Sequence, residues 1–218
     1  QPCDVLNVHG ADALRWYLFT ASPPGNERRF SVDLVGDVVR KFLLTLWNTY
    51  SFFVTYANID RFDPTRHTLP VEQRATLDRW ILAELVARVD KALSEYDVAG
   101  GTRPIATFVD NLSNWYVRRS RRRFWKSEED ADKVAAYLTL YECLVTVAKL
   151  VAPMMPFIAE EIYQNLVRSV STDAPESVHL TDYPTADRSV IDGKLIADTQ
   201  LAMRMVSLGH AARNKAGI

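Results

Sequence analysis

The stretch that decides the fold lies in the middle of the chain, where residues 105–126 read IATFVDNLSNWYVRRSRRRFWK. Apolar residues recur there at intervals of three and four, at Ile105, Phe108, Val109, Leu112 and Tyr116. This spacing collects them on one side of an α-helix, which completes a turn every 3.6 residues. We therefore predict a helix that follows Gly100-Gly101 and buries this face.

The same periodicity extends outward from this segment in both directions. It predicts six further helices, over residues 10–18, 31–58, 72–96, 130–152, 157–170 and 190–212. Ser31 is a predicted N-cap, Asp130 or Asp132 opens another helix, and Pro156 suits a first helical turn. Residues 58–71 are predicted to be a linker. Residues 171–189 are predicted to be a loop, with a short extended piece at 178–180.

The composition agrees with a helical, globular chain. Of 218 residues, 48% are hydrophobic and 24% charged, which excludes disorder for most of the sequence. The eight glycines are too few for a β-sandwich or a glycine-loop nucleotide enzyme. With seven predicted helices and almost no strand, the expected fold class is all-α, a helical bundle.

The cysteines and the apolar runs indicate a soluble protein of a reducing compartment. Cys3 and Cys143 lie too far apart in sequence for a metal-binding pair, and they form no disulfide framework. We therefore expect a cytoplasmic location. The longest apolar region, 143–159, contains Lys149 and two prolines, so no membrane span is predicted. The chain begins without Met and ends inside a helical pattern, and we expect a piece of a larger protein.

No arrangement of residues in the sequence predicts catalysis or metal binding. The four histidines are scattered, and no glycine-rich phosphate loop is present. Glu160 and Glu161 are neighbours, but adjacent side chains on a helix point apart and cannot act as a pair. We assign no catalytic residue and no metal ligand.

The unusual feature is the charge of residues 118–126, where six of nine residues are basic and none is acidic. Guanidinium groups this close repel one another unless an anion offsets the repulsion, and RNA phosphate is such an anion. Arginine and tryptophan also stack on unpaired bases. The candidate RNA-binding residues are Arg118, Arg119, Arg121, Arg122, Arg123, Trp125 and Lys126. Helical spacing puts Arg118, Arg121, Arg122 and Trp125 on one side.

A second interpretation of this stretch stays open at the level of the residues. Four acids, at positions 128, 129, 130 and 132, follow it directly and could neutralise it within the fold. The chain would then be a helical protein-interaction module with an internally paired arginine stripe. Arg119 and Arg123 are the residues for which such pairing is most expected.

Residues 114–125, NWYVRRSRRRFW, resemble the signature of the anticodon-binding helical domain of isoleucyl-tRNA synthetases. Five other stretches resemble the same family in the same order, so the similarity covers the whole chain. They are GADALRWY at 10–17, LWNTYSFF at 46–53, APMMPFIAEEIY at 152–163, SVHL at 177–180 and VSLGHAAR at 206–213. Valyl- and leucyl-tRNA synthetases are the related alternatives.

The resemblance implies three parts. Residues 1–66 would be a junction segment after a catalytic core, 67–170 an anticodon-binding bundle, and 171–218 a loop and helix that complete it. The parent would be an enzyme that activates isoleucine with ATP and Mg²⁺ and transfers it to tRNA(Ile). The expected partners are tRNA(Ile) and the other domains of the same chain, in a monomer. The family's ATP-handling motifs are absent here, so this chain alone is expected to carry no catalytic centre.

Overall fold

The computed structural model describes residues 2–21, 26–27, 29–94, 98–128 and 130–217, together with the side chains of these except 2 and 88–101. Helix accounts for 78% of the structure, and the described residues contain no strand. The all-α prediction is therefore confirmed. The α-helices are α1 Pro2–Thr20, α2 Val32–Val38, α3 Leu44–Asp60, α4 Thr76–Ser94, α5 Val98–Asn111, α6 Arg118–Trp125, α7 Ala131–Val151, α8 Pro156–Tyr163 and α9 Gly193–Ala216.

Three π-helical segments join or extend these helices without a break. They are Val39–Leu43, Leu112–Val117 and Gln164–Arg168. The first segment connects α2 to α3 and the second connects α5 to α6, so that each pair forms one uninterrupted helix. The third segment extends α8 to Arg168. α1 is interrupted at Gly10, whose backbone is not helical (φ 79°, ψ 167°), so the described α- and π-helices make up eight helical segments. Seven of them correspond to the predicted helices, and the periodicity does not predict the segment before Gly10.

Helix starts that depend on a local signal are where the sequence places them. The Ser31 side chain accepts a hydrogen bond from the Leu34 backbone N–H, and Asp130 accepts one from Lys133 at 2.8 Å. Each satisfies a backbone donor that the first turn of a helix leaves without a partner. Pro156 occupies the first turn of α8.

Several boundaries differ from prediction. The segment Val71–Gln73 forms a 3₁₀ turn, which delays α4 to Thr76. The predicted end of that helix, near 96–97, lies outside the described residues. The prediction of an extended piece at 178–180 is wrong. Val178–Leu180 is a 3₁₀ turn, because the Ser177 hydroxyl accepts a hydrogen bond from the His179 N–H and closes the chain on itself.

The hydrophobic core is built around α7, which has apolar side chains buried on several sides. α7 is the one described helix long and apolar enough to cross a membrane, but 67% of that stretch is buried inside the bundle. The face predicted from Ile105, Phe108, Val109, Leu112 and Tyr116 is buried, each at 2% exposure or less, and α5 packs mainly against α4 and α1. Core packing therefore explains the apolar character of α7.

The core also includes the N-terminal part of the chain. Trp16 of α1 stacks on Phe42 with ring centroids 4.2 Å apart, and Phe53 of α3 lies 6.0 Å from Tyr137 of α7. These residues belong to one cluster with the rest of the bundle. The predicted division near residue 66 stays a prediction. The core contains residues from both sides of that position, and α3, which precedes it, packs against α7, which follows it.

A buried ion pair fixes the linker before α4 to the central helix. The Arg74 side chain is 4% exposed, and its guanidinium binds both carboxylate oxygens of Glu142 at 2.7 and 3.0 Å. The same group donates to the Leu69 carbonyl at 2.9 and 3.0 Å. These contacts hold the start of α4 against α7. The basic segment, residues 118–126, packs beside both helices, so the position of α4 affects its environment.

Candidate nucleic-acid interface

The orientation of α6 is set by the buried side chains on its inner side. Tyr116, Val117, Ser120 and Phe124 are buried, and the Phe124 ring meets Tyr137 edge-on at 4.8 Å. The π-helical turn Leu112–Val117 comes directly before α6 and adds width to the helix at this point. With one side of α6 fixed to the core, the arginines on the opposite side are directed away from it.

Three of those arginines form what we call the arginine face: Arg118, Arg121 and Arg122. All three are exposed, and none forms an ion pair with another described residue. Trp125, at the end of the same helix, is 54% exposed. The outer side of α6 therefore presents three guanidiniums that no described carboxylate pairs with, next to a large aromatic ring.

Arg123 is different, because it is bound inside the fold. Its guanidinium donates to both oxygens of the Asp78 carboxylate at 2.7 Å, and to the Asp132 carbonyl at 2.9 Å. Asp78 is fully buried on α4 and also accepts a hydrogen bond from the Tyr116 hydroxyl at 2.6 Å. Burial opposes the charged form of Arg123, but the hydrogen bond and the nearby carboxylates outweigh it and raise its pKa above the ordinary value. Arg123 thus anchors α6 to α4.

Lys126 is also paired within the chain. Its ammonium lies 2.6 Å from Asp130 and 3.1 Å from Asp132, and these carboxylates raise the pKa of the lysine. The acids that follow the basic stretch therefore neutralise Lys126 and part of Arg123. Glu129 lies outside the described residues. The arginine face has none of these carboxylates as partners.

Arg119 has an intermediate environment. Its guanidinium carbon lies 3.1 Å from the centroid of the Trp115 ring, a cation–π contact that holds the side chain against the helix. Burial and the neighbouring charge of Arg118 lower the pKa of Arg119.

Two grooves meet at Arg118. The wider one, of about 600 Å³, separates this part of the chain from α9. Trp115, Arg118 and Arg119 line one side of it, and Met203, Ser207 and His210 of α9 line the other. The second, of about 410 Å³, runs between α6 and α3, and it contains Arg121 and Asn48. Asn114 and Arg118 border both grooves.

The sequence prediction and the geometry agree on where the basic surface is and differ in its extent. Of the seven candidate residues, five are exposed on or beside α6, while Arg123 and Lys126 are paired internally. Asn48, Asn114 and His210 were not candidates. Asn114 lies just before the basic run and could have been included by helical spacing, whereas nothing local connects Asn48 or His210 to it.

The rest of the described chain offers no competing site for chemistry. No group of three or more His, Cys, Asp or Glu residues among the described residues is placed to hold a metal ion. A smaller pocket of about 160 Å³ lies beside Asp60 and Lys133, whose charged groups pair with each other at 2.7 Å. Arrangements of this kind stabilise helix ends, so the arginine face and its two grooves are the candidate site.

Comparison with known proteins gives a consistent result. The sequence profile of the family described as "Anticodon-binding domain of tRNA ligase" matches residues 78–218. The chain is 60% identical over 221 residues to an isoleucine–tRNA ligase of Dehalococcoides mccartyi, and 52% identical over 222 residues to that of Thermus thermophilus. Each alignment covers 100% of this chain but only 22% and 21% of the relative, so the chain spans about a fifth of their length.

Solved structures share the fold at low sequence identity. The LeuRS of Agrobacterium radiobacter K84, in a ternary complex with tRNA and LeuAMS, aligns with a TM-score of 0.65 and 17% identity over 88% of this chain and 21% of that one. The apo methionyl-tRNA synthetase of Mycobacterium tuberculosis aligns with a TM-score of 0.62 and 20% identity, over 84% and 40% of the two chains.

Proposed function

Because the chain belongs to the anticodon-binding domain family of tRNA ligases, we propose that it is the part of an isoleucine–tRNA ligase that binds tRNA(Ile). High identity to isoleucine–tRNA ligases along the whole chain supports isoleucine over valine or leucine. The single observation that carries RNA binding is the arginine face, with three exposed guanidiniums that have no carboxylate partner among the described residues.

The physical basis is the release of counterions from the RNA backbone. Each phosphate that an arginine neutralises frees condensed cations, so affinity falls steeply as salt rises. Arginine also forms two parallel hydrogen bonds to a phosphate, which fixes the position of the strand. Such contacts position an RNA more than they read its sequence.

The wider groove is suited to an unpaired nucleotide. Trp115 supplies an aromatic wall. The side-chain carbonyl of Asn114, whose amide nitrogen donates to Asp110 at 2.7 Å, and the ring of His210 supply hydrogen-bonding groups at a base edge. Unpaired bases in RNA loops are bound in this way, by stacking together with polar contacts at their edges. We assign the arginine face to phosphates and this groove to a base of the loop.

Properties of the whole protein belong to the same proposal. It would use ATP and Mg²⁺ to activate isoleucine at residues outside this chain, since no catalytic group is assigned here. We also propose that it acts as a monomer in the cytoplasm and that the other domains of the same polypeptide pack against this one.

The second candidate function, a protein-interaction module with a paired arginine stripe, has less support. It requires the downstream acids to neutralise the stripe, but Asp130 pairs with Lys126, and Asp132 pairs with Arg123 and Lys126. A protein partner would also have to supply carboxylates to three adjacent guanidiniums. An RNA backbone supplies one negatively charged phosphate per nucleotide and so provides several adjacent anions for these guanidiniums.

The test is to replace Arg118, Arg121 and Arg122 together with Gln, a good helix former, and to titrate a labelled tRNA(Ile) transcript at several salt concentrations. We expect weaker binding and a log–log salt slope reduced by about 2 to 3 units, close to one per lost phosphate contact. The control replaces Arg61, Arg66 and Lys194, exposed cations that line neither groove. Equal slopes for the two triple variants would contradict the proposal.

A further inference from the structure

The groove between α6 and α3 has the properties of a binding site in its own right. Its α6 side carries Arg118 and Arg121, and its α3 side carries Asn48, with Phe52 in the floor. We propose that the RNA strand held by the arginine face continues across this groove to α3, where the Asn48 amide donates a hydrogen bond to the backbone. This inference rests on the proposed function and extends its surface to residues 1–66, which the resemblance implies to be a junction segment after a catalytic core.

Asn48 is the group on α3 that is free to make this contact. It is exposed, and none of the described residues hydrogen-bonds to its side chain. The neighbouring Thr49 is already engaged, because its hydroxyl donates to the Thr45 carbonyl at 2.9 Å. An unengaged amide at the edge of a groove is well placed to donate to a ligand without first breaking a bond in the protein.

The floor of the groove belongs to the core and is held in place by it. The Phe52 ring meets Phe124 edge-on with centroids 5.1 Å apart, and Phe124 is 1% exposed. Phe52 comes from α3 and Phe124 from α6, so this contact fixes the distance between the two walls. A preformed groove avoids the entropic cost of ordering loops when a ligand binds.

The charge of the groove selects its ligand. Among the described residues no acidic one lines it, whereas Arg118 and Arg121 both do. A groove whose described lining carries two guanidiniums and no carboxylate suits a polyanion, and its other polar lining groups are neutral donors and acceptors. A phosphodiester strand satisfies both conditions, and its phosphate oxygens are acceptors for an amide.

The test compares variants at Asn48 with the same changes at Asn58, which is exposed on the same helix and lines neither groove. We expect Asn48→Ala to lower the affinity for a tRNA(Ile) transcript by about tenfold and to leave the salt slope unchanged, since a neutral donor releases no counterion. Asn48→Lys should steepen the slope by about 0.7 to 0.9 units, and Asn48→Glu should weaken binding strongly. The three changes at Asn58 should each have little effect.

Circular dichroism and thermal melting establish that each variant is folded, and both positions are exposed, so folding is not at risk. If the variants at 48 bind as those at 58 do while the arginine triple variant binds weakly, the strand does not reach α3 and this inference is overturned. If the arginine triple variant itself binds normally, the proposed function fails first.

Discussion

The carboxylate of Asp12 accepts a hydrogen bond from the backbone N–H of Ile158 at 2.7 Å, across 146 positions of sequence. One turn further along α1, Arg15 donates to the carbonyls of Pro153 and Met154 at 2.8 and 2.9 Å. A single stretch of α1 therefore satisfies the free donors at the start of α8 and the free acceptors just after α7. The break between those helices at residues 152–155 is closed by side chains from the other end of the chain.

The first prediction concerns this contact. Asp12→Ala should lower the free energy of unfolding by about 1 kcal/mol, because it removes the acceptor at the N-terminus of α8. Asp12→Asn should lose less, since an amide oxygen still accepts the bond. Urea unfolding followed by circular dichroism measures both. Asp198→Ala, which removes an exposed i,i+4 pair with Lys194, is the matched control and should cost far less. Similar losses for Asp12→Ala and Asp198→Ala would show that the contact does not stabilise the fold.

The second prediction separates the two kinds of arginine on α6. Arg123→Gln should reduce the free energy of unfolding by about 3 kcal/mol, because it leaves the buried Asp78 carboxylate without its ion-pair partner. It should leave the salt slope of tRNA binding unchanged. Arg121→Gln should do the reverse, lowering the slope by about one unit at nearly constant stability.

Denaturant unfolding and a binding titration, run on both variants, provide this comparison. A reduced salt slope in Arg123→Gln under conditions where that variant is fully folded would mean that Arg123 also contacts phosphate. The Asp78 pair would then not be its main role.

The third prediction is a loss of stability at alkaline pH. Burial, and then the charge of Asp78, raise the pKa of the Tyr116 hydroxyl well above its usual value of 10.0. The unfolded chain releases this proton near pH 10 while the folded chain keeps it. The stabilisation is therefore complete below pH 10 and is lost progressively above it, by up to about 1.4 kcal/mol per pH unit for this one group.

Tyr116→Phe removes that proton from both states. We expect the variant to show a shallower decline in the free energy of unfolding between pH 10 and 11 than the unmodified chain, although it is less stable at pH 8 because a buried hydrogen bond is missing. Urea titrations at a series of pH values give both quantities. If the free energy of unfolding falls equally steeply with pH in the variant and the unmodified chain, the alkaline sensitivity belongs to other buried tyrosines, such as Tyr137.

The sequence predicts well those features that depend on neighbours along the chain. Ser31, Asp130 and Pro156 open helices as expected, because a cap needs only its own side chain and the next turn. The all-α fold and the buried face of α5 follow from spacing alone. The six basic residues among positions 118–126 located the basic surface.

Contacts between residues that are far apart in the sequence could not be predicted from local patterns. Arg123 was expected to pair with downstream acids, and it does reach Asp132, but its main partner is Asp78, 45 positions upstream. Only the packing of α4 against α6 brings Asp78 there. The same is true of Asn48, which faces Arg121 because α3 lies beside α6.

Helical spacing also cannot show whether an apolar face is covered. Spacing in the predicted helix over 190–212 puts Leu195, Leu201, Met205 and Leu208 near one face, and the structure has the helix α9 there. Leu195 packs partly against the core, while Leu201, Met205 and Leu208 are 51%, 64% and 71% exposed. The helix extends past the body of the bundle, which periodicity alone does not reveal.

The π-helical turn at Leu112–Val117 has a consequence for how this segment can change in evolution. A deletion of one residue there would restore a regular α-helix and satisfy the backbone equally well. It would also rotate everything downstream by about 100°, the angle of one residue in a helix. The arginines would then turn away from both grooves, and Arg123 from Asp78. We therefore expect homologous sequences to tolerate substitutions in this turn while keeping its length constant, so that alignment gaps fall elsewhere.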